Sequence, residues 1–148
     1  MEKLVQMALR PVPQVCQKTI LVVDDDRWVL RFMSRVLTQN HYTILSAASG
    51  EEAIELSKAH EGQIHLIVSE FQMGEMNGVD LAWEIAFQRP NIEVVLTAGC
   101  AGGLFVLDQR WHFLKKPFVA SQLRNLVASL LSEPTFKRFS TVGNQRAQ

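Results

Sequence analysis

Cysteine is scarce in this chain. Only Cys16 and Cys100 occur among 148 residues. Their separation matches no metal-binding or redox motif, which argues against a zinc scaffold or a disulfide framework. Reduced thiols in a cytoplasmic setting are the expectation. Histidine ligand spacing is missing too: His41, His60, His65 and His112 are scattered. So is any surplus of charge. Fifteen Lys and Arg balance fifteen Asp and Glu, which leaves no bulk electrostatic pull toward nucleic acid or an anionic membrane. No apolar run is long enough to cross a bilayer. Glu2 and the Pro11/Pro13 pair spoil the N-terminus as a signal peptide. Repeats and low-complexity tracts are absent.

What is present is ample core material, 47% hydrophobic residues against 20% charged, enough for one domain of ordinary size. Residues 1–18 read as a loose extension, in which Leu4, Val5, Ala8 and Leu9 offer at most a turn or two of helix. Five short apolar runs then read as strands: Thr19–Asp24, Tyr42–Ala47, His65–Ser69, Ile92–Thr97 and His112–Lys115. The first is continuous rather than alternating, as a strand buried on both faces is. Helical spacing lies between them. Val29, Phe32, Met33, Val36 and Leu37 mark one amphipathic face. Ser49 and Glu52 form a capping box ahead of a helix from about Gly50 to His60. Val79 to Arg89 forms another, with Leu81, Ala82 and Ile85 inward, and Leu104 to Arg110 a short one. Leu123 to Leu131 is the last, closed by Glu133-Pro134. Strands alternating with helices imply a parallel sheet covered on both faces, with its site beyond the carboxyl ends of the strands.

Polar residues gather where those runs stop: Asp24, Asp25 and Asp26 after the first, Glu70 after the third, Thr97 at the end of the fourth, Lys116 after the fifth. Acids converging on one rim require a cation or a proton. Carboxylate oxygens with waters suit Mg²⁺. A fixed ammonium and a hydroxyl donor suit a phosphoryl group. A nucleotide or flavin enzyme on such a sheet needs a glycine- or hydroxyl-rich loop after the first strand, and here that loop is three aspartates.

In order along the chain, ILVVDDD (20–26), HLIVSEFQMGEMNG (65–78), VVLTA (94–98) and FLKKPF (113–118) resemble the motifs of response-regulator receiver domains in two-component signalling. The resemblance covers about residues 19–131. It implies a flavodoxin-like (βα)₅ doubly wound sandwich, a five-stranded parallel sheet of order 2-1-3-4-5. Asp24 and Asp25 match the acidic pair that holds Mg²⁺ together with the residue at position 70. Thr97 matches the hydroxyl that meets the phosphoryl oxygens. Lys116 matches the family lysine, Lys116-Pro117 the peptide bond commonly cis, and Phe113 the aromatic switch position. Glu70 matches the phosphoacceptor, where the family places Asp. Partners implied are a histidine kinase or a downstream signalling protein, met through the face of the fourth helix, fifth strand and fifth helix.

The departures matter most. Glu70 is one methylene longer than Asp, about 1.5 Å, and a misplacement of about 1 Å can cost on the order of a hundredfold in rate. Gly74-Glu75 stands where Pro-Gly is usual. The stretch from Thr97 to Lys116 is short and holds Gly99, Gly102 and Gly103, which weaken a helix there. Trp111 and Phe113 beside it are expected in the core or half-buried. Ser69 is turned to the opposite face by strand alternation and is discounted as a substitute acceptor. The expectation is therefore an atypical receiver over residues 19–132, acting as a phosphorylation-independent interaction module. It is not an enzyme beyond weak self-phosphotransfer. The alternative is a working receiver that takes a phosphoryl group on Glu70 with Mg²⁺. Residues 133–148 read as a tail with no output domain. A homodimer through the altered fourth-helix face is a further expectation, and nucleic acid and membrane are not expected partners.

Overall fold

The computed structural model describes residues 17–99 and 111–132. Five strands form one parallel sheet: β1 (Thr19–Val23), β2 (Thr43–Ala47), β3 (Leu66–Glu70), β4 (Glu93–Ala98) and β5 (Trp111–Lys115). Their order is β2-β1-β3-β4-β5, as the resemblance implied. Four helices accompany them among the described residues: α1 (Arg27–Gln39), α2 (Gly50–Ala59), α3 (Gly78–Gln88) and α4 (Ala120–Leu131). The expected helix at Leu104–Arg110, both cysteines, most of the N-terminal extension and the tail from residue 133 lie outside the described residues.

Strand alternation sorts the core into two layers. Ile20, Val22, Leu66, Val68 and Val95 point to one face, where Met33, Val36 and Leu37 of α1 and Leu123 and Val127 of α4 cover them. Leu21, Val23, Ile67, Val94 and Leu96 point to the other, under Ala53 of α2 and Leu81, Ala82 and Ile85 of α3. Each such Leu, Ile or Val contributes roughly 1.5–3 kcal/mol by leaving water. Burial on both faces is why β1 and β3 read as unbroken apolar runs. Phe32, counted inward from its spacing, is 39% exposed. It lies at the rim of the α1 stripe against Phe118, ring centroids 6.1 Å apart.

Local chemistry sets the helix starts. The Asp26 carboxylate accepts from the Trp28 and Val29 amides at 2.9 and 3.3 Å and opens α1. Ser49 Oγ accepts from the Glu52 amide at 3.2 Å, one half of the expected capping box. The return bond differs: Glu52 Oε2 takes the Ala48 amide at 2.8 Å, one residue earlier than the motif prescribes. Asn77 caps α3 through the Asp80 amide at 2.8 Å. At the far ends, Arg89 ties α3 to α2. Its guanidinium donates to Ser57 Oγ and to the carbonyls of Ser57, His60 and Gly62 at 2.8–3.0 Å. That places a cation on the carbonyl end of α2, where the helix dipole favours it.

Candidate functional site

Register assembles the site. β3 lies beside β4 with Glu70 opposite Thr97. β4 lies beside β5 with Ala98 opposite Lys115, so Lys116 comes one step beyond the pair. Its amide donates to the Ala98 carbonyl at 2.8 Å. Asp24 is likewise one step beyond β1, its amide donating to the Ala47 carbonyl at 3.2 Å. Glu70 itself closes β3 rather than following it. The Lys116-Pro117 peptide is cis.

Four side chains meet at this rim. Asp24 and Thr97 are fully buried and Glu70 nearly so. Lys116 Nζ donates to Asp24 Oδ2 at 2.9 Å and also pairs directly with Glu70 Oε2. Thr97 Oγ1 donates to the same Glu70 oxygen at 3.3 Å. The remaining oxygens are taken by backbone: Asp24 Oδ1 by the Asp26 amide at 2.8 Å and Glu70 Oε1 by the Gln72 amide at 3.2 Å. Among the described residues no buried side-chain nitrogen or oxygen lacks a hydrogen-bond partner. Burial pushes the Asp24 carboxyl above its usual range, ahead of the opposing bonds from Lys116 and the Asp26 amide. For Lys116 burial is the largest single influence and acts downward. The bonds to Glu70 and Asp24, with the charge of both, outweigh it and hold the ammonium above the ordinary lysine value.

A family profile described as "Response regulator receiver domain" matches residues 20–128. The chain belongs to that family. Among curated relatives of this receiver, the sensor kinase CckA of Brucella abortus (strain 2308) is 34% identical over 119 residues, covering 78% of this chain and 13% of the relative. The transcriptional regulatory protein GlrR of Escherichia coli (strain K12) is 31% identical over 118 residues, 77% of this chain and 26% of the relative. The receiver thus spans only 13% and 26% of the length of these two relatives. In structure it resembles the receiver domain of the hybrid histidine kinase CckA, with a TM-score of 0.68, 27% identity, 76% of this chain and 98% of that one covered. It also resembles a receiver protein from Sinorhizobium medicae WSM419, with a TM-score of 0.69, 27% identity, and 79% and 96% covered.

Receivers of this family typically hold Mg²⁺ at the acidic rim, and the donor set here can be tested against it. The expected trio of Asp24, Asp25 and Glu70 does not assemble. Among the described residues no three His, Cys, Asp or Glu side chains group as a metal site requires. Asp25 stands exposed, one residue past buried Asp24. The ammonium of Lys116 occupies the position between the two carboxylates that remain. With Lys116 paired to both Asp24 and Glu70 and no third carboxylate beside them among the described residues, the residues as arranged do not fit the ion. The other expected members fare differently. Thr97 and Lys116 converge on Glu70, whereas Phe113 is half-buried in the core layer of Leu21 and Leu96. Trp111 is 4% exposed and packs on Trp83 at 5.0 Å between ring centroids. Ser69 turns away from the rim and donates to the Glu70 carbonyl at 3.0 Å.

Sequence reasoning missed Gly78. A Cβ there would lie 2.2 Å from the Glu70 carbonyl oxygen. Its amide donates to the Phe71 carbonyl at 2.8 Å, so the start of α3 is pressed against the end of β3 and holds the Glu70 backbone. The only signal was the Asn77-Gly78 pair just ahead of the helix expected from Val79. His65 was passed over as one of four scattered histidines. Instead its Nδ1 accepts the Thr19 amide at 3.0 Å, closing the start of β1, and burial pulls its pKa down, helped by Lys18.

Proposed function

We propose that this receiver is a protein-interaction module of two-component signalling that works without a phosphate cycle, with Glu70 in the place of the phosphoacceptor. One observation carries the reading: Lys116 bridges Asp24 and Glu70, so the pocket supplies its own cation. With the extra methylene, the Glu70 carboxylate reaches the ammonium and the Thr97 hydroxyl together, a partial likeness of a phosphorylated site. The likeness is incomplete, since a carboxylate carries less charge and fewer oxygens than a phosphoryl group. On this reading residues 19–132 are the functional unit, in the cytoplasm. The partners are a histidine kinase or a downstream signalling protein, engaged through the face that the family assigns to its fourth helix, fifth strand and fifth helix, of which β5 and α4 are the described parts. The module has no catalytic residue.

A second reading has its own support. Thr97 Oγ1 and Lys116 Nζ both converge on Glu70 Oε2, and those are the donors a transferred phosphoryl group would use. One experiment separates the two. The protein is incubated with Mg²⁺ and an acyl phosphate, then weighed intact, beside Glu70→Asp. The proposal expects no mass gain in the natural chain and one added phosphoryl group in the variant. Stable labelling of Glu70 itself would establish the second reading.

A further inference from the structure

The large apolar side chains that stay exposed are not scattered. Among the described residues they are Trp28, Phe32, Trp83, Phe87 and Val119, at 79, 39, 46, 87 and 60%. They fall in two places. Trp28 and Phe32 lie one turn apart on α1, and Val119 follows Phe118, which Phe32 touches. Trp83 and Phe87 lie one turn apart on α3. Paired exposed aromatics of this size usually mark contact surfaces.

Charge distinguishes the two patches. α1 carries Arg27, Arg31 and Arg35 at four-residue steps, all exposed, with no Asp or Glu within the helix. Four residues rise about 6 Å, so the three form one stripe. None forms a salt bridge among the described residues. Arg31 lies over the Trp28 ring, 5.7 Å from its centroid. α3 carries Asp80 and Glu84, also four apart, exposed, with no Lys or Arg within the helix. Neither is in an ion pair among the described residues; Asp80 accepts from Asn77 and Glu84 from Gln88. The nearest cation in sequence, Arg89, is committed to the end of α2. One helix thus presents basic residues with two aromatics, and the other acids with two aromatics, at the same spacing.

We propose that a second copy of this chain is the partner for both: the α1 face of one molecule docks on the α3 face of the next. Arginines meet carboxylates, and the Trp28–Phe32 pair meets Trp83 and Phe87. The two helices cover opposite faces of the sheet, so the contact is heterologous. Each docking event leaves one free α1 face and one free α3 face, and the association runs on as an open chain rather than closing as a two-fold dimer. Rim charges set its strength and salt response. The proposal goes beyond the reading of the acidic pocket and does not depend on it. Phosphoryl labelling of Glu70 would leave it standing.

Sedimentation of the full chain at low salt, from about 1 µM to 1 mM, the span suited to an interface of modest size, tests it. The weight-average mass is expected to climb with concentration and to fall back toward the monomer at high salt. Arg31→Glu with Arg35→Glu breaks the basic face. Glu84→Ala with Phe87→Ala breaks the acidic one. Each double variant alone should associate more than about tenfold more weakly. Mixed in equal amounts, they should form a one-to-one complex and nothing larger, because each retains the face the other lacks. A natural chain that stays monomeric throughout overturns the proposal. So do variants that self-associate like the natural chain, or a mixture that gains no mass.

Discussion

Replacing Lys116 by Met removes the cation that Asp24 and Glu70 share and leaves a side chain of similar length. Breaking a buried ion pair by deleting one partner costs about 3–5 kcal/mol. The Lys116 side chain retains 23% exposure, so water returns part of that, leaving about 2–3 kcal/mol. For a chain of this length, that is a fall in Tm of roughly 5–10 °C. The pH dependence is the sharper readout. Asp24 already sits above its unfolded value of 3.8. Without Lys116, the influences left to raise it are burial and the charge of Glu70, opposed only by the Asp26 amide. A carboxyl raised in the folded state binds its proton there first, so stability grows as pH falls through the folded pKa toward 3.8. The deficit of Lys116→Met against the natural chain should therefore be largest near neutral pH and shrink on acidification. Urea titrations of both proteins at stepped pH give the comparison. Equal stability at pH 7, or a deficit that widens as acid is added, would show that the ammonium is not what keeps the two carboxylates together.

Other perturbations have equally definite outcomes. Arg89→Ala removes four hydrogen bonds onto the end of α2 and should cost about 2–3 kcal/mol in urea unfolding; Arg89→Lys should restore less than half, lacking the planar fork. Gly78→Ala places a methyl against the Glu70 carbonyl oxygen, and that backbone contact must open. A loss of about 3 kcal/mol is expected, with altered near-ultraviolet dichroism from Trp83. Asp26→Ala deprives α1 of its cap and should lower stability by about 1 kcal/mol, an effect that Asp26→Asn should largely avoid. In the natural chain, the part of stability that Lys116 contributes should be lost on alkaline titration only above the ordinary lysine pKa of 10.5, which the difference between the natural chain and Lys116→Met reads out. The Lys116 ammonium, raised in the folded state, contributes fully below that value and loses its contribution as pH passes its folded pKa.

The sheet was legible because its signals are local and redundant. β1 and β3 are continuous apolar runs that end in acids, and α1, α2 and α3 have side-chain caps in the sequence. Leu81, Ala82 and Ile85 were placed inward by spacing alone, and all three are fully buried. Asp24, Glu70, Thr97 and Lys116 were placed together by strand order, since parallel strands deliver their ends to one rim. What spacing could not weigh was competition for charge. Asp25 follows Asp24 directly and looks like its equal. Which of the two turns inward, and whether a metal or the ammonium balances the pair, depends on distances set by the whole sheet. Arg89 was read only as the end of a helix, because its four acceptors lie 27–32 residues earlier in the chain. Phe32 was misjudged for a geometric reason: a stripe defined by three- and four-residue steps has an edge, and periodicity does not show where the neighbouring helix stops.

Asp24 and Lys116 stand 92 residues apart in sequence. Contacts of that span arise only after the intervening chain has been laid down and organised. Until β5 joins the sheet, the two acids face each other without the Lys116 ammonium, and the nascent core carries a less balanced negative pair at its edge. Quenching of a fluorophore introduced beside Lys116 would therefore time the arrival of the last strand, and any intermediate lacking β5 should be one that acid favours.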